Sequence, residues 1–89
     1  MEKTRADIFV AGRVQGVAFR HSARIKAKKL GITGWIKNLN DGRVEAILEG
    51  EKSAVEKMIQ WMKRGPILAN VDEVEVIFED YKGEFQRFD

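Results

Sequence analysis

Between residues 12 and 20 the chain reads Gly12-Arg13-Val14-Gln15-Gly16-Val17-Ala18-Phe19-Arg20, a glycine-bearing segment between a strand-like run and a helix-like one. Glycines let backbone N–H groups turn inward. A helix N-terminus adds unpaired N–H groups and partial positive charge, so such a loop can hold a phosphate or carboxylate without a metal. The spacing is neither that of a P-loop nor that of a dinucleotide fingerprint, and a plain strand-to-helix turn would use the same residues. Arg20, beginning the helix that the loop enters, can fork two hydrogen bonds onto phosphate oxygens, or it can form a surface ion pair. Asn38 closes a later β-prone run. Its amide can accept from a water while donating elsewhere, or it can serve turn chemistry, which Asn40, Asp41 and Gly42 already supply.

The rest of the reactive inventory is sparse. The chain has no cysteine and one histidine, His21, which excludes thiolate chemistry and Cys-based zinc sites and leaves little for other transition metals, so no metal and no cofactor is expected. His21 adjoins Arg20, but adjacent helical residues point roughly 100° apart, so it reads as a helix surface residue rather than a base. Ser22 and Ser53 have no partners that would activate a hydroxyl. Trp35 reads as a packing residue, and Glu73, Glu75 and Glu79 alternate with apolar residues as a solvated strand face. Sixteen Lys and Arg against fourteen Asp and Glu leave a net charge of +2, interspersed rather than blocked, which favours neither nucleic acid nor a membrane surface as partner. No run reaches the roughly 18 apolar residues of a membrane span, and the first residues lack the apolar stretch of a secretory signal. A cytoplasmic monomer is expected, and the abundance of Lys and Glu with few Asn or Gln suggests heat adaptation.

The elements that would position Arg20 and Asn38 follow from periodicity. Ala6 to Ala11 is a strand closed by Gly12, and Phe19 to Leu30 is a helix, with Phe19, Ala23, Ala27 and Leu30 at helical spacing and Gly31 as its cap. Ile32 to Lys37 is a strand that turns at Leu39-Asn40-Asp41-Gly42 into a third, Arg43 to Glu49, where Val44, Ala46 and Leu48 alternate with charges. Ser53-Ala54-Val55-Glu56 has the form of a capping box opening a second helix, striped by Val55, Met58, Ile59 and Met62 and stopped by Gly65-Pro66. Val71 to Glu79 is a fourth strand, and Phe85 to Phe88 could add a short edge strand. The order is β-α-β-β-α-β, an α+β class ferredoxin-like sandwich, with an antiparallel four- to five-stranded sheet and two helices on one face, residues 1–89 forming a single domain. In that topology the first and second strands end at the same side of the sheet, which brings the loop from Arg13 to Arg20 beside the hairpin from Asn38 to Gly42.

Two segments then carry a resemblance. Val10-Ala11-Gly12-Arg13-Val14-Gln15-Gly16-Val17-Ala18-Phe19-Arg20 resembles the first signature of the acylphosphatase family. Gly34-Trp35-Ile36-Lys37-Asn38, followed after three residues by Gly42-Arg43-Val44 and then Gly50, resembles its second. The similarity covers nearly the whole chain, Lys29-Leu30-Gly31 included, and departs at Ile36, where the family more often has a smaller residue, and at Ala18, where microbial members often have glycine. It implies hydrolysis of carboxyl-phosphate anhydrides, with Arg20 and the amides of Gln15, Gly16, Val17, Ala18, Phe19 and Arg20 on the phosphate and Asn38 orienting the water. The same fold also serves anion-binding regulatory modules and RNA-binding domains. The third strand, Arg43-Val44-Glu45-Ala46-Ile47-Leu48-Glu49, carries two glutamates and lacks the stacking aromatics that RNA binding would need.

Overall fold

Ala6, Ile8 and Val10 alternate with Arg5, Asp7 and Phe9, and in a computed structural model describing residues 2–89 all three apolar side chains are fully buried. They lie on β1 (Lys3–Arg13), which is followed by α1 (Phe19–Lys29), β2 (Thr33–Asn38), β3 (Val44–Glu51), α2 (Lys52–Arg64) and β4 (Asn70–Glu79). The strands form one antiparallel sheet in the order β2-β3-β1-β4, the ferredoxin-like arrangement expected from the sequence. Phe19, Ala23 and Ala27 of α1 and Val55, Met58, Ile59 and Met62 of α2 join the strand residues in one core, so both helices cover the same face. Fully burying an aliphatic or aromatic side chain of this kind contributes about 1.5–3 kcal/mol.

Register places the site. Val10 pairs with Val44, and Val44 pairs with Asn38, so the C-terminal ends of β1 and β2 lie level at one edge of the sheet, with the start of β3 between them. Adjacent strands are about 4.8 Å apart, so Asn38 stands about 10 Å across the sheet from Val10.

The helix α1 ends as its glycine requires. Gly31 takes φ 71°, its N–H donates to the Lys28 carbonyl, and Ile32 N–H donates to that of Ala27, the paired bonds of a Schellman cap. Three expectations are corrected. β1 does not close at Gly12 but continues to Arg13 through a register shift at Ala11 and Gly12. There φ is 125° and a Cβ would lie 2.3 Å from the Asn70 carbonyl oxygen, so only glycine fits. The Ser53 capping box is not formed. β3 runs to Glu51, α2 begins at Lys52 with Glu51 as its uncapped N-cap residue, and the Lys52 N–H is taken by the Glu2 carbonyl at 2.9 Å. Finally, the C-terminal segment adds one bridge rather than a strand. Phe88, 3% exposed, pairs with Gly34 beside β2, fixed by Gly34 N–H to Arg87 and Asp89 N–H to Gly34.

To reach β2 from β4, at the other edge of the sheet, residues 80–87 pass over β1 and β3. Amides of Lys82, Gly83 and Glu84 donate to the Glu49 carboxylate at 2.8–3.3 Å, and Arg5 pairs with Glu49, Glu79 and Glu84. Glu49 is wholly buried on β3.

Candidate active site

The segment between β1 and α1 is anchored from below. Val14 and Val17 are buried, and Phe19 packs its ring 5.5 Å from that of Trp61, so the loop is held to the core at three points while Gly16, Ala18 and Arg20 face solvent. Two of its residues are left-handed: Gly16 at φ 74° and Ala18 at φ 63°, ψ 23°. Glycine accepts this conformation freely, whereas alanine carries a cost of roughly 1 kcal/mol or more. The conformation turns the backbone away from self-pairing. Among the described residues no backbone hydrogen bond is made by the amides from Gln15 to His21, and the first bond of the helix runs from Ser22 N–H to Ala18 O at 3.0 Å. Ala18 supplies no side-chain cap, and α1 has no acidic residue in its first turn. These N–H groups are therefore left without a partner among the described residues, an arrangement suited to an anion.

The loop is joined to the β2–β3 hairpin by a contact that sequence reasoning missed. The Gln15 side-chain amide donates to the carbonyls of Leu39 at 2.8 Å and Arg43 at 2.9 Å. Gln15 was expected to contribute its backbone N–H, and its side chain proves to be the tie that holds the loop against the hairpin. The available signal was a lone neutral donor in a segment otherwise made of glycine, apolar residues and arginine. The hairpin is stiffened in turn: Arg43 pairs with Asp41 at 2.8 Å and lies 5.0 Å over the Phe9 ring, and Leu39 N–H donates to Arg43 O at 2.8 Å. The Arg43 backbone N–H, and then its guanidinium, hold the Asp41 carboxyl below its ordinary range.

Arg20 is the second residue of α1, and since its neighbour Phe19 is turned into the core, Arg20 is exposed. Asn38 is the exposed last residue of β2. Among the described residues neither side chain forms a hydrogen bond or ion pair within the chain, in contrast to Arg5, Arg43 and Arg87, each of which has a carboxylate partner. The structure thus brings together the loop and the hairpin, and leaves a guanidinium and an amide at their rim with capacity to bind.

The acylphosphatase family model matches residues 6–89, a span that includes both the loop and the hairpin. The chain belongs to the acylphosphatase family. It is 52% identical over 88 residues to an acylphosphatase of a Roseiflexus species, covering 99% of this chain and 95% of that one. It is 54% identical over 89 residues to an acylphosphatase of Pyrobaculum islandicum, covering 99% and 94%. The crystal structure of acylphosphatase from Bacillus subtilis superposes with a TM-score of 0.92 at 35% identity, over 96% of this chain and 94% of that one.

Around this acylphosphatase fold the remaining residues fall into place. His21 is exposed on α1, and Ser53 lies inside α2. Trp35 is half-buried on the face of the sheet opposite the helices, with the Lys37 ammonium 4.9 Å from its ring centre. Among the described residues no group of three His, Cys, Asp or Glu side chains is gathered as a metal would need, and no helix is long and apolar enough to cross a membrane.

Proposed function

We propose that Arg20 and the amides of Gln15, Gly16, Val17, Ala18, Phe19 and Arg20 hold the phosphoryl group of an acyl phosphate while Asn38 positions the water that attacks it. Acylphosphatase activity, the hydrolysis of a carboxyl-phosphate bond to a carboxylate and inorganic phosphate, is the reaction of this family. The observation that carries the residue roles is the run of unpaired amides entering α1 beside Arg20, tied by Gln15 to the hairpin that carries Asn38.

The chemistry asks for little more. Phosphoryl transfer proceeds through a loose transition state with charge on the equatorial oxygens, so fixed positive charge and positioning supply most of the catalysis. Water oxygen bonds to phosphorus as the bond from phosphorus to the acyl oxygen breaks, and the carboxylate leaves with the electron pair. Its conjugate acid has a pKa of about 4, so it departs as the anion without a general acid. The proton of the attacking water passes to a phosphate oxygen of the substrate. A loss of kcat in a folded His21→Gln as large as that expected of Asn38→Ala would instead make His21 the base.

On this reading residues 1–89 act as one domain, a cytoplasmic monomer whose partner is the small-molecule acyl phosphate, with neither nucleic acid nor membrane involved. The test is phosphate release from acetyl phosphate in excess EDTA. Arg20→Gln is expected to raise KM and lower kcat, and Asn38→Ala to lower kcat about a hundredfold, the scale of one lost transition-state donor. Both should melt like the parent. A folded parent without hydrolysis would point to a non-catalytic anion-binding module, and full activity in either variant would remove that residue from the mechanism.

A further inference from the structure

Beside the phosphate loop lies an open groove of about 550 Å³, and no residue of the hairpin is among those described as lining it. Val17 and Ala18 belong both to the loop and to the groove wall, and Ile25 and Trp61 extend that wall along the helices. Its outer lip is Pro66, Ile67 and Leu68, the segment between α2 and β4, where Ile67 is 99% exposed and Leu68 68%. The lip has a defined shape: Ala69 N–H closes a turn onto Pro66 O at 3.0 Å, and Gly65 packs against the Phe19 ring with too little room for a Cβ. No carboxylate lines the groove. Among the described residues that line it, Ser22, Lys26 and Lys29 bring polar side chains, beside the indole N–H of Trp61.

We propose that this groove receives the acyl group of the substrate and gives the enzyme a preference for acyl phosphates with bulky apolar or aryl acyl groups. The inference rests on the acyl phosphate reading above and specifies its substrate class. Two features argue for this occupant. The groove is continuous with the phosphate loop through Val17 and Ala18, so a group attached to a bound phosphate enters it directly. The second is direction. Attacking and leaving oxygens lie roughly in line across the phosphorus. The loop meets the hairpin that carries Asn38 through Gln15, and it meets the groove through different residues, Val17 and Ala18. Water presented from the Asn38 flank expels a leaving group toward the groove. An acetyl group reaches little beyond the loop, whereas a phenyl ring or a branched chain covers the Ile67 and Leu68 side chains that otherwise meet water.

The experiment compares kcat/KM for benzoyl phosphate and acetyl phosphate in the parent and in the double variant Ile67→Ser, Leu68→Ser. Both positions are exposed, so the fold is expected to survive, which a circular dichroism melt checks. The expected result is a loss of about tenfold on benzoyl phosphate, within the range set by apolar contacts of this size, with acetyl phosphate changed by less than about twofold. Unchanged benzoyl phosphate hydrolysis, or an equal loss on both substrates, would overturn the assignment and leave the groove to some other occupant. A folded parent that hydrolyses neither substrate would instead refute the acyl phosphate reading on which the assignment depends.

Discussion

Arg5 and Arg20 stand near opposite ends of the sheet and are treated in opposite ways. Arg5, 8% exposed, is enclosed by Glu49, Glu79 and Glu84, and the Phe85 ring lies 5.3 Å from its guanidinium carbon. Arg20 is exposed and unpaired among the described residues. Backbone amides divide the same way: those of Lys82, Gly83 and Glu84 are spent on Glu49, whereas those from Gln15 to His21 have no acceptor among the described residues. One end uses its polar groups to fasten the C-terminal segment, and the other leaves them free for the phosphate proposed to bind there. Stability and activity should therefore be separable by mutation.

The largest effect is expected at the fastened end. Burial alone would raise the Glu49 pKa, but the three amides and Arg5 outweigh it and hold the carboxylate below its ordinary range. Glu49→Ala leaves those donors without their acceptor, and breaking a buried charged network of this kind costs roughly 3–5 kcal/mol. The expected outcome in urea unfolding is a fall of that order. The kcat of the protein still folded should change by less than about twofold. A variant with parental stability would mean that the C-terminal segment is not held through Glu49, and a selective loss of kcat would couple the two ends.

Gln15 should blur the division, because its side chain is structural while its position is in the loop. Removing it in Gln15→Ala leaves its two half-buried carbonyls without this donor, a loss of about 1–3 kcal/mol, and frees the loop to shift against Asn38. The expected kcat loss is about tenfold, and Gln15→Glu should not rescue it, because a carboxylate cannot donate to carbonyls. Unchanged kcat in Gln15→Ala would show that the hairpin needs no tie.

The contrast also explains what was legible in the sequence. The strand order and both helices could be read from alternation, helical spacing and turn residues, since those signals are local, whereas the roles proposed for the loop, Arg20 and Asn38 rest on the two signature segments. The Arg5–Glu49 network could not, because its members are 44 residues apart and an alternating charge reads as a solvated face until a later segment is known to cover it. Glu79 was read that way and instead binds Arg5 at 2.9 Å. The Ser53 capping box failed for a related reason: the start of α2 is set by where β3 ends and by the distant Glu2 carbonyl, not by the local motif.

A third carboxyl, between the two ends on β1, gives a pH dependence. Burial first, and then the neighbouring Glu45 and Glu79 carboxylates, raise the Asp7 pKa to about 7, against 3.8 ordinarily, and Asp7 Oδ1 is buried without a partner. The folded chain therefore holds a proton that the unfolded chain releases, so Asp7 costs stability progressively as pH rises from about 4 to about 7, and the cost is constant above that. Asp7→Asn should raise Tm at pH 8 by about 5 °C, corresponding to about 1 kcal/mol, with the gain fading toward pH 4. An equal gain at both pH values would assign the effect to packing rather than charge.

The smallest effect, and the finest test of the contrast, concerns backbone strain. Ala18 is the one non-glycine residue with positive φ among those described, and it sits in the loop between β1 and α1, whereas the positive φ of 64° in the fastened C-terminal segment falls on Gly83. Among the described residues, strain at a non-glycine position thus falls only in the loop proposed to hold phosphate. Ala18→Gly relieves it but frees the unfolded chain, and the two terms oppose, since a glycine costs about 0.4–1 kcal/mol in unfolded-state entropy. The net expectation is a rise in stability of about 0.5 kcal/mol or less. The looser loop should then bind phosphate more weakly, measured as an inhibition constant about two- to threefold higher. Tighter phosphate binding in the glycine variant would mean that Ala18 distorts the anion site rather than holding it ready.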